Sequence, residues 1–381
     1  MDSIKSVGSN EGSGDALSQH VELSALDKFL FVWIFIAMAS GVLAGNYLPA
    51  IRNVVNALQF EGVSLPIGIG LIWMMYPPLA AVRYKELGKV KSSGRMLPIS
   101  LILNWIVGPF LMFALAWIFL PDMPAFRDGI ILVGLARCIA MVLVWNMLAG
   151  GNNEYAAILV AVNAVFQIFF YSAYAFLFIS FLPGILGISY AHTVALRVSP
   201  LLIAQSVAIY LGVPLAMGFV TRMALTKRRG TGWYENVFLP KIKPTALIGL
   251  LFTIIVMFSL EGKEIVSLPV DMLRIAAPLV FYFLLMFISS YLLSWKAGLA
   301  YEETVTTSLT AASNNFELAI AVAVSVFGIS SGEAFATVIG PLIEVPVMIG
   351  LVHLSLRFRH FFFGKLEGMG TAATEAKNMG T

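Results

Sequence analysis

Three ionisable residues lie inside long apolar runs of this sequence, and a cysteine adjoins one of them. Arg137, Glu317 and Glu344 each interrupt a stretch that is otherwise hydrophobic, and Cys138 directly follows the arginine. A charged side chain within hydrocarbon costs at least about 2.5 kcal/mol, so we expect these residues to have a function. A carboxyl group can bind and release a proton, and a thiolate can bind a soft metal or metalloid.

Small and polar residues surround two of these positions. The two contexts read Gly134-Leu135-Ala136-Arg137-Cys138-Ile139-Ala140-Met141 and Ala311-Ala312-Ser313-Asn314-Asn315-Phe316-Glu317-Leu318. Asn, Ser and Gly side by side favour an unwound backbone over a continuous helix. Inside a membrane, such a break is tolerated only where it lines a cavity or is buried in protein. For Asn314 and Asn315, hydrogen bonding between helices is an equally weighted alternative.

The charges of the buried residues need partners. A guanidinium stays protonated in proteins, so we expect Arg137 to pair with Glu317 in a mainly structural role. Glu344 is then left without an obvious partner. It lies between Pro341 and Pro346, which are expected to open the helix around it. Such a glutamate could exchange a proton near neutral pH; the alternative is a residue that stays protonated and only donates a hydrogen bond.

Cys138 is the only cysteine, so the chain forms no internal disulfide. A lone cysteine is commonly a small buried hydrophobe, but the neighbouring Arg137 favours its thiolate form, and both interpretations stay open. Other polar residues of the apolar runs could line a path or bridge helices: Asn104, Trp105, Asn146, Asn163 and Gln167. The sequence contains no phosphate-binding glycine loop, catalytic triad or HExxH motif, so no cofactor and no enzymatic activity are expected.

The composition identifies the solvent that this chain meets. Of its 381 residues, 59% are hydrophobic and 12% are charged, and the mean hydropathy is +0.88. Soluble domains have about 25% charged residues. This difference excludes a soluble enzyme, a nucleic-acid-binding domain and a disordered protein, and it predicts that membrane lipids surround the chain.

Apolar runs of about 20 residues, the length needed to cross a bilayer as a helix, occur ten times. The sequence therefore predicts an all-α membrane protein with ten transmembrane helices. The predicted spans are 29–48, 64–82, 97–120, 129–149, 155–182, 201–224, 244–260, 271–295, 306–328 and 333–356.

The lysines and arginines predict the orientation of these helices. With the N-terminus inside, eighteen of them fall in cytoplasmic segments and five in external ones. Positively charged residues concentrate on the cytoplasmic side of membrane proteins, so both termini are predicted to be cytoplasmic. The sequence does not identify the membrane, and we expect the plasma membrane rather than a vacuole.

Weak but ordered matches at an offset near 178–180 residues predict an internal duplication. Pro66 and Pro244 open corresponding segments, and Pro98 and Pro278 lie early in the next pair. An odd number of helices in each half would invert the second half in the membrane, as in many secondary transporters. The predicted divisions are a disordered cytoplasmic tail (1–25), repeat 1 (26–182), repeat 2 (183–358) and a second cytoplasmic tail (359–381).

Three of these motifs, in this order, resemble the Acr3 family of arsenite efflux permeases. They are Arg137-Cys138-Ile139-Ala140-Met141-Val142 with Trp145-Asn146, then Ala312-Ser313-Asn314-Asn315-Phe316-Glu317-Leu318-Ala319, then Gly340-Pro341-Leu342-Ile343-Glu344-Val345-Pro346. The likeness continues through Asn104-Trp105-Ile106-Val107-Gly108-Pro109 and covers most of residues 26–358. One departure is Met147, where family members often have a polar residue.

The resemblance implies the fold of the bile acid/arsenite/riboflavin transporter group. In that fold, helices 1, 2, 6 and 7 form a panel domain and helices 3–5 and 8–10 a core domain, and the broken helices 4 and 9 cross. It also implies export of trivalent arsenic, and in some members of antimony, driven by protons. The required cysteine of the family falls on Cys138 as the arsenic ligand, and its required glutamate on Glu344 for proton coupling. We expect the substrate-binding site to comprise these two and the remaining polar residues: Arg137, Glu317, Asn314, Asn315, Asn104, Trp105 and Asn146.

The chemistry of arsenite agrees with a single thiol. Arsenite at neutral pH is mostly the uncharged trihydroxide, and one thiolate can displace one hydroxide reversibly. Three cysteines would bind it too tightly for release. Since arsenite is neutral, exchange for a proton would be electrogenic and could drive export against a gradient.

Two other functions compete with this interpretation. A sodium-coupled organic-anion carrier of the same fold would use Asn314, Asn315 and Glu317 as sodium ligands, and Cys138 would be irrelevant. A receptor or scaffold without transport would have no reason to bear the cost of buried charges. The oligomeric state, monomer or homodimer, stays open.

Overall fold

The computed structural model of the protein describes residues 29–48, 50, 54, 57–60, 63–83, 94–139, 141–187, 199–267, 269–329 and 331–363. The predicted N-terminal tail (1–25) and most of the predicted C-terminal tail lie outside these residues. The described chain remains helical through Phe363, so the predicted tail of 359–381 begins too early.

The described residues form twelve helices. We number them α1 (Leu30–Tyr47), α2 (Leu65–Ala81), α3 (Met96–Phe119), α4 (Pro124–Leu135), α5 (Met141–Leu148), α6 (Asn153–Ile185), α7 (Pro200–Arg229), α8 (Leu239–Ser267, after the π-helical turn Tyr234–Phe238), α9 (Pro269–Lys296), α10 (Tyr301–Ala312), α11 (Phe316–Phe327) and α12 (Gly332–Phe358, with the turn Arg359–Phe363). An antiparallel pair of two-residue strands, Gln59–Phe60 and Val63–Ser64, precedes α2.

Six of these helices are long and apolar enough to cross a membrane, and three shorter apolar helices accompany them within the described residues. The long helices are α3, α6, α7, α8, α9 and α12. The prediction of a helical membrane protein is therefore confirmed. The ten-span count and the repeats stay predictions.

Glycines allow two pairs of helices to pack closely. On α1, a Cβ added to Gly41 would lie 2.7 Å from the carbonyl oxygen of Ile255 in α8. On α7, a Cβ at Gly218 would lie 2.7 Å from the backbone nitrogen of Ala80 in α2. Small residues at such contacts let backbones approach where the hydrophobic effect gives little drive for association. Helices α1, α2, α7 and α8 thus form one packed group, and α12 packs along α4 and α9 in another.

Helix α12 is continuous, contrary to the prediction that its prolines open it. Pro341 and Pro346 lie inside the helix between Gly332 and Phe358. Each proline removes one backbone hydrogen bond. Packing against α4, α9 and α11 holds the remaining turns in place, and Glu344 therefore lies on a helix rather than in an opened segment.

Candidate functional site

Two interrupted helices meet in the interior of the bundle. The backbone leaves the helical conformation at Ala136 after α4 and at Ser313 after α10. Arg137 and Asn314 form an isolated antiparallel bridge between the two interruptions. The Asn315 N–H donates to the Ala136 carbonyl at 3.0 Å, and the Cys138 N–H donates to the Ser313 carbonyl at 3.4 Å. Each break therefore satisfies backbone groups that the other exposes.

The two asparagines cap the ends of the half-helices. Nδ2 of Asn314 donates to the carbonyls of Val133 and Ala136 at 2.8 and 3.1 Å, where α4 ends. Oδ1 of Asn315 accepts the Leu318 N–H at 3.1 Å, where α11 begins. Of the two interpretations left open, the geometry favours hydrogen bonding between chain segments. Oδ1 of Asn314 and Nδ2 of Asn315 are buried without a hydrogen-bond partner within the described chain.

Glu344 is bound to the break between α10 and α11. Its Oε1 accepts hydrogen bonds from the Ser313 hydroxyl at 2.6 Å and from the Asn314 N–H at 3.2 Å. The side chain is buried, yet it lines a cavity. Two donors on one oxygen stabilise the ionised form, while burial opposes it, so the group is placed to change protonation state with its surroundings.

Arg137 does not pair with Glu317, and that prediction is wrong. The fully buried guanidinium donates through Nη1 to the Tyr282 hydroxyl at 2.6 Å and to the Ala311 carbonyl at 3.4 Å. Nε and Nη2 have no hydrogen-bond partner among the described residues. Arg137 points towards α9, whereas Glu317 lines the cavity on the first turn of α11, so their side chains diverge.

Cys138 lies between the cavity and the buried arginine. Its sulfur accepts the Val142 N–H at 3.4 Å, at the first turn of α5, and only 3% of the residue is exposed. The next residue, Ile139, lines the cavity. A helix N-terminus and an adjacent guanidinium both favour a thiolate, so the position suits a reactive sulfur better than an inert packing residue.

Three predicted binding residues make contacts away from the cavity. Nδ2 of Asn104 donates to Ser100, and the Trp105 indole donates to Oδ1 of Asn163 at 3.3 Å. Oδ1 of Asn146 accepts the Thr306 hydroxyl at 2.7 Å. None of the three is among the residues that line the cavity, and their hydrogen bonds connect α3 with α6 and α5 with α10.

The cavity of about 360 Å³ lies between α1, α2 and α8 on one side and α5, α11 and α12 on the other. It reaches the end of the bundle where α2 ends at Ala81 and α8 begins near Pro240. Glu317 and Glu344 place two carboxyl groups in its wall, and Lys243 places one ammonium group there.

Sequence reasoning missed several of these residues. Ser313 was noted only as part of an unwound segment, and Tyr282 was not singled out because a tyrosine in an apolar run gives no signal of its partner. Lys243 was counted only as a charge that sets the orientation. The consecutive prolines Pro77 and Pro78, which line the cavity from α2, were a visible signal that was not used.

Known proteins match this chain over most of its length. The model of the sodium bile acid symporter family matches residues 68–268. An arsenical-resistance protein Acr3 from Corynebacterium glutamicum is 48% identical over 88% of this chain and 90% of its own. The Acr3 protein of Alkaliphilus metalliredigens is 31% identical over 92% and 98%, and an uncharacterised transporter of Synechocystis is 34% identical over 89% and 91%.

The predicted resemblance is confirmed by these matches, which cover both halves of the chain and the interrupted helices. This chain belongs to the Acr3 family of arsenical-resistance proteins, within the sodium bile acid symporter family.

Proposed function

We propose that this chain exports arsenite from the cytoplasm in exchange for protons and thereby confers resistance to arsenic. The observation that carries the proposal is the double role of Ser313. Its carbonyl accepts the Cys138 N–H, and its hydroxyl donates to the Glu344 carboxylate. One residue thus connects the only thiol of the chain with a carboxyl group of the cavity wall. The names of the two Acr3 relatives support the arsenical cargo.

Binding of arsenite would exchange one bond for another. The Cys138 sulfur attacks arsenic, an arsenic–oxygen bond breaks, and the departing hydroxide takes the thiol proton to leave as water. Attack by water at arsenic reverses the step and returns the proton to the sulfur. Because no net charge moves with the cargo, Glu344 would couple transport by releasing a proton inside as arsenite binds and taking one from outside as it leaves.

The proposed topology follows the same logic. Helices α4 with α5, and α10 with α11, would each make one span, which gives ten spans in two inverted repeats. The bond between Asn314 and Ala136 joins positions 178 residues apart, within the offset of the proposed duplication. Helices α1, α2, α7 and α8 would form the panel domain, and the other eight helices the core domain.

The orientation predicted from the charges would place the open end of the cavity in the cytoplasm. Arg222 and the basic residues at 227–229 lie where α7 ends, beside Lys241 and Lys243 at the start of α8. Such clusters mark the cytoplasmic side. The structure would then correspond to the conformation that receives arsenite from inside the cell.

The test is arsenite uptake into everted membrane vesicles with an imposed pH gradient and no sodium. We expect uptake by the parent, none by Cys138→Ser, and uptake without response to the gradient by Glu344→Gln. Glu302→Gln is a suitable control because Glu302 is exposed on α10. Transport by Cys138→Ser at the parent rate would contradict the thiol mechanism, and full coupling in Glu344→Gln would contradict the proton carrier.

Sodium coupling is the second candidate, and the family name favours it. The unpartnered Oδ1 of Asn314 is an oxygen that could bind a cation. However, Oδ1 of Asn315 already caps α11, and the positive charge of Arg137 lies at the same junction of backbones. Like charges repel strongly in a poorly solvated interior, so this arrangement favours protons. Uptake driven by a sodium gradient at constant pH would reverse that preference.

A further inference from the structure

We propose that the thioethers of Met74, Met141 and Met147 make the cavity selective for soft, thiophilic metalloids, and that they favour antimony(III) over arsenic(III). This inference rests on the proposed function of the site, since it concerns the choice among cargoes of the same transporter.

The argument starts from the composition of the cavity wall. Among the described residues that line the cavity, six side chains carry a heteroatom: Met74, Met141, Met147, Glu317, Glu344 and Lys243. The remaining lining residues are aliphatic, aromatic or proline. No hydroxyl, amide or imidazole side chain is present in this part of the wall. A cargo that leaves water here therefore meets two carboxyl groups, one ammonium group and three thioether sulfurs.

The positions of the three methionines differ from those of methionines that fill gaps in a core. Met147 is 37% exposed and Met141 is partly exposed, although both lie on the short helix α5 that follows Cys138. Met74 is buried on α2, in the opposite wall. The thioethers thus occupy both walls along the approach to the thiol.

Thioether sulfur is a soft and polarisable donor. Its lone pair can contact a trivalent metalloid opposite one of the metalloid–oxygen bonds, and no bond has to form or break. Antimony is larger and softer than arsenic in the same oxidation state, so it gains more from each contact. The hydroxyl groups of either trihydroxide can donate to Glu317 and Glu344, and those contacts discriminate little between the two.

The experiment measures uptake of arsenite and of antimonite by everted vesicles that contain the full-length protein. The test variant has Met74→Leu, Met141→Leu and Met147→Leu together, because Leu conserves the volume and apolar character of Met while removing the sulfur. We expect the ratio of antimonite to arsenite uptake to fall about tenfold, with arsenite uptake nearly unchanged. The control is Met217→Leu with Met223→Leu, two exposed positions on α7 outside the cavity, and it should keep the parent ratio.

A gain of sulfur provides a test that misfolding cannot imitate. Leu143→Met adds a fourth thioether to the cavity wall and is expected to raise the ratio. An unchanged ratio in both the triple variant and Leu143→Met would overturn the inference. If the triple variant loses uptake of both cargoes, Met147→Leu alone decides, since this side chain is the most exposed of the three. Arsenite uptake by the parent separates this failure from a failure of the proposed function.

Discussion

The hydroxyl of Ser313 donates a 2.6 Å hydrogen bond to Oε1 of Glu344, across the gap between the interrupted chain and helix α12. Since the carbonyl of Ser313 also accepts the Cys138 N–H, a shift of Glu344 displaces the segment that holds the thiol. The protonation state of the carboxyl group and the position of the sulfur are therefore mechanically connected. This connection explains why the break contains a serine between Ala312 and Asn314.

Replacement of Ser313 by alanine tests that connection. A hydrogen bond to a charged group contributes about 1.5–3 kcal/mol, so we expect Ser313→Ala to slow arsenite transport about 10- to 100-fold. The measurement is the initial rate of uptake at several imposed pH gradients. Ser325→Ala is the matched control because the Ser325 hydroxyl bonds only the Ala321 carbonyl of its own helix. Equal rates for both variants would show that the bond to Glu344 is dispensable.

The hydroxyl of Tyr282 is the side-chain partner of the buried Arg137, and its loss should be costly. Tyr282→Phe leaves a guanidinium with one long bond to the Ala311 carbonyl. We expect the free energy of unfolding to fall by about 1.5–3 kcal/mol and transport to fall with it. Thermal unfolding in detergent and vesicle uptake measure the two effects.

Tyr291→Phe is the control for this prediction, on the same helix α9. The Tyr291 hydroxyl is buried without a hydrogen-bond partner in the described part of the chain. Removal of an unsatisfied polar group is expected to be neutral or stabilising. A Tyr282→Phe protein as stable as Tyr291→Phe would mean that Arg137 finds another acceptor.

Much of the architecture could be predicted from the sequence because hydrocarbon imposes its own length on helices. The predicted span 97–120 corresponds to α3 at Met96–Phe119, and the polar run around Asn314 marked a real break. Partners between distant segments could not be predicted. Tyr282 lies 145 residues from Arg137, and only the packing of α9 against α3 brings it there. The expected pair with Glu317 failed because charge alone does not determine which way a side chain points.

Gly108 makes room for the Arg137 guanidinium, and a methyl group there should disturb it. A Cβ at Gly108 would lie 2.8 Å from Nη1 of Arg137 and 3.0 Å from the Tyr282 hydroxyl oxygen. We expect Gly108→Ala to destabilise the protein by about 1–3 kcal/mol, as other overpacked interiors are destabilised. Gly350→Ala is the control, because a Cβ there has no neighbour within 4 Å, and it should stabilise α12 by up to about 1 kcal/mol. Thermal unfolding in detergent distinguishes the two, and a stable Gly108→Ala protein would show that the guanidinium can move aside.

The ion pair of Asp122 with Arg274 predicts an acid-sensitive contribution to stability outside the membrane-spanning segments. Asp122 lies between α3 and α4, and Nη1 of Arg274 donates to its Oδ2 at 3.0 Å. The hydrogen bonds from Arg274 are the main cause that holds the pKa of Asp122 below its ordinary value. A depressed carboxyl pKa stabilises the folded state above the unfolded pKa of about 4, and this stabilisation is lost as the pH falls through the folded pKa.

The matching variant is Asp122→Asn, followed by its thermal midpoint from about pH 7 down to about pH 3. We expect a small deficit relative to the parent at neutral pH, since both side chains are partly exposed, and the deficit should shrink as the parent carboxylate is protonated. Arg274→Gln should show the same convergence, and the double variant should lose no more than either single one if the two residues act only on each other. A deficit that persists unchanged at the lowest pH would assign the effect of Asp122 to the backbone of its loop instead of to the ion pair.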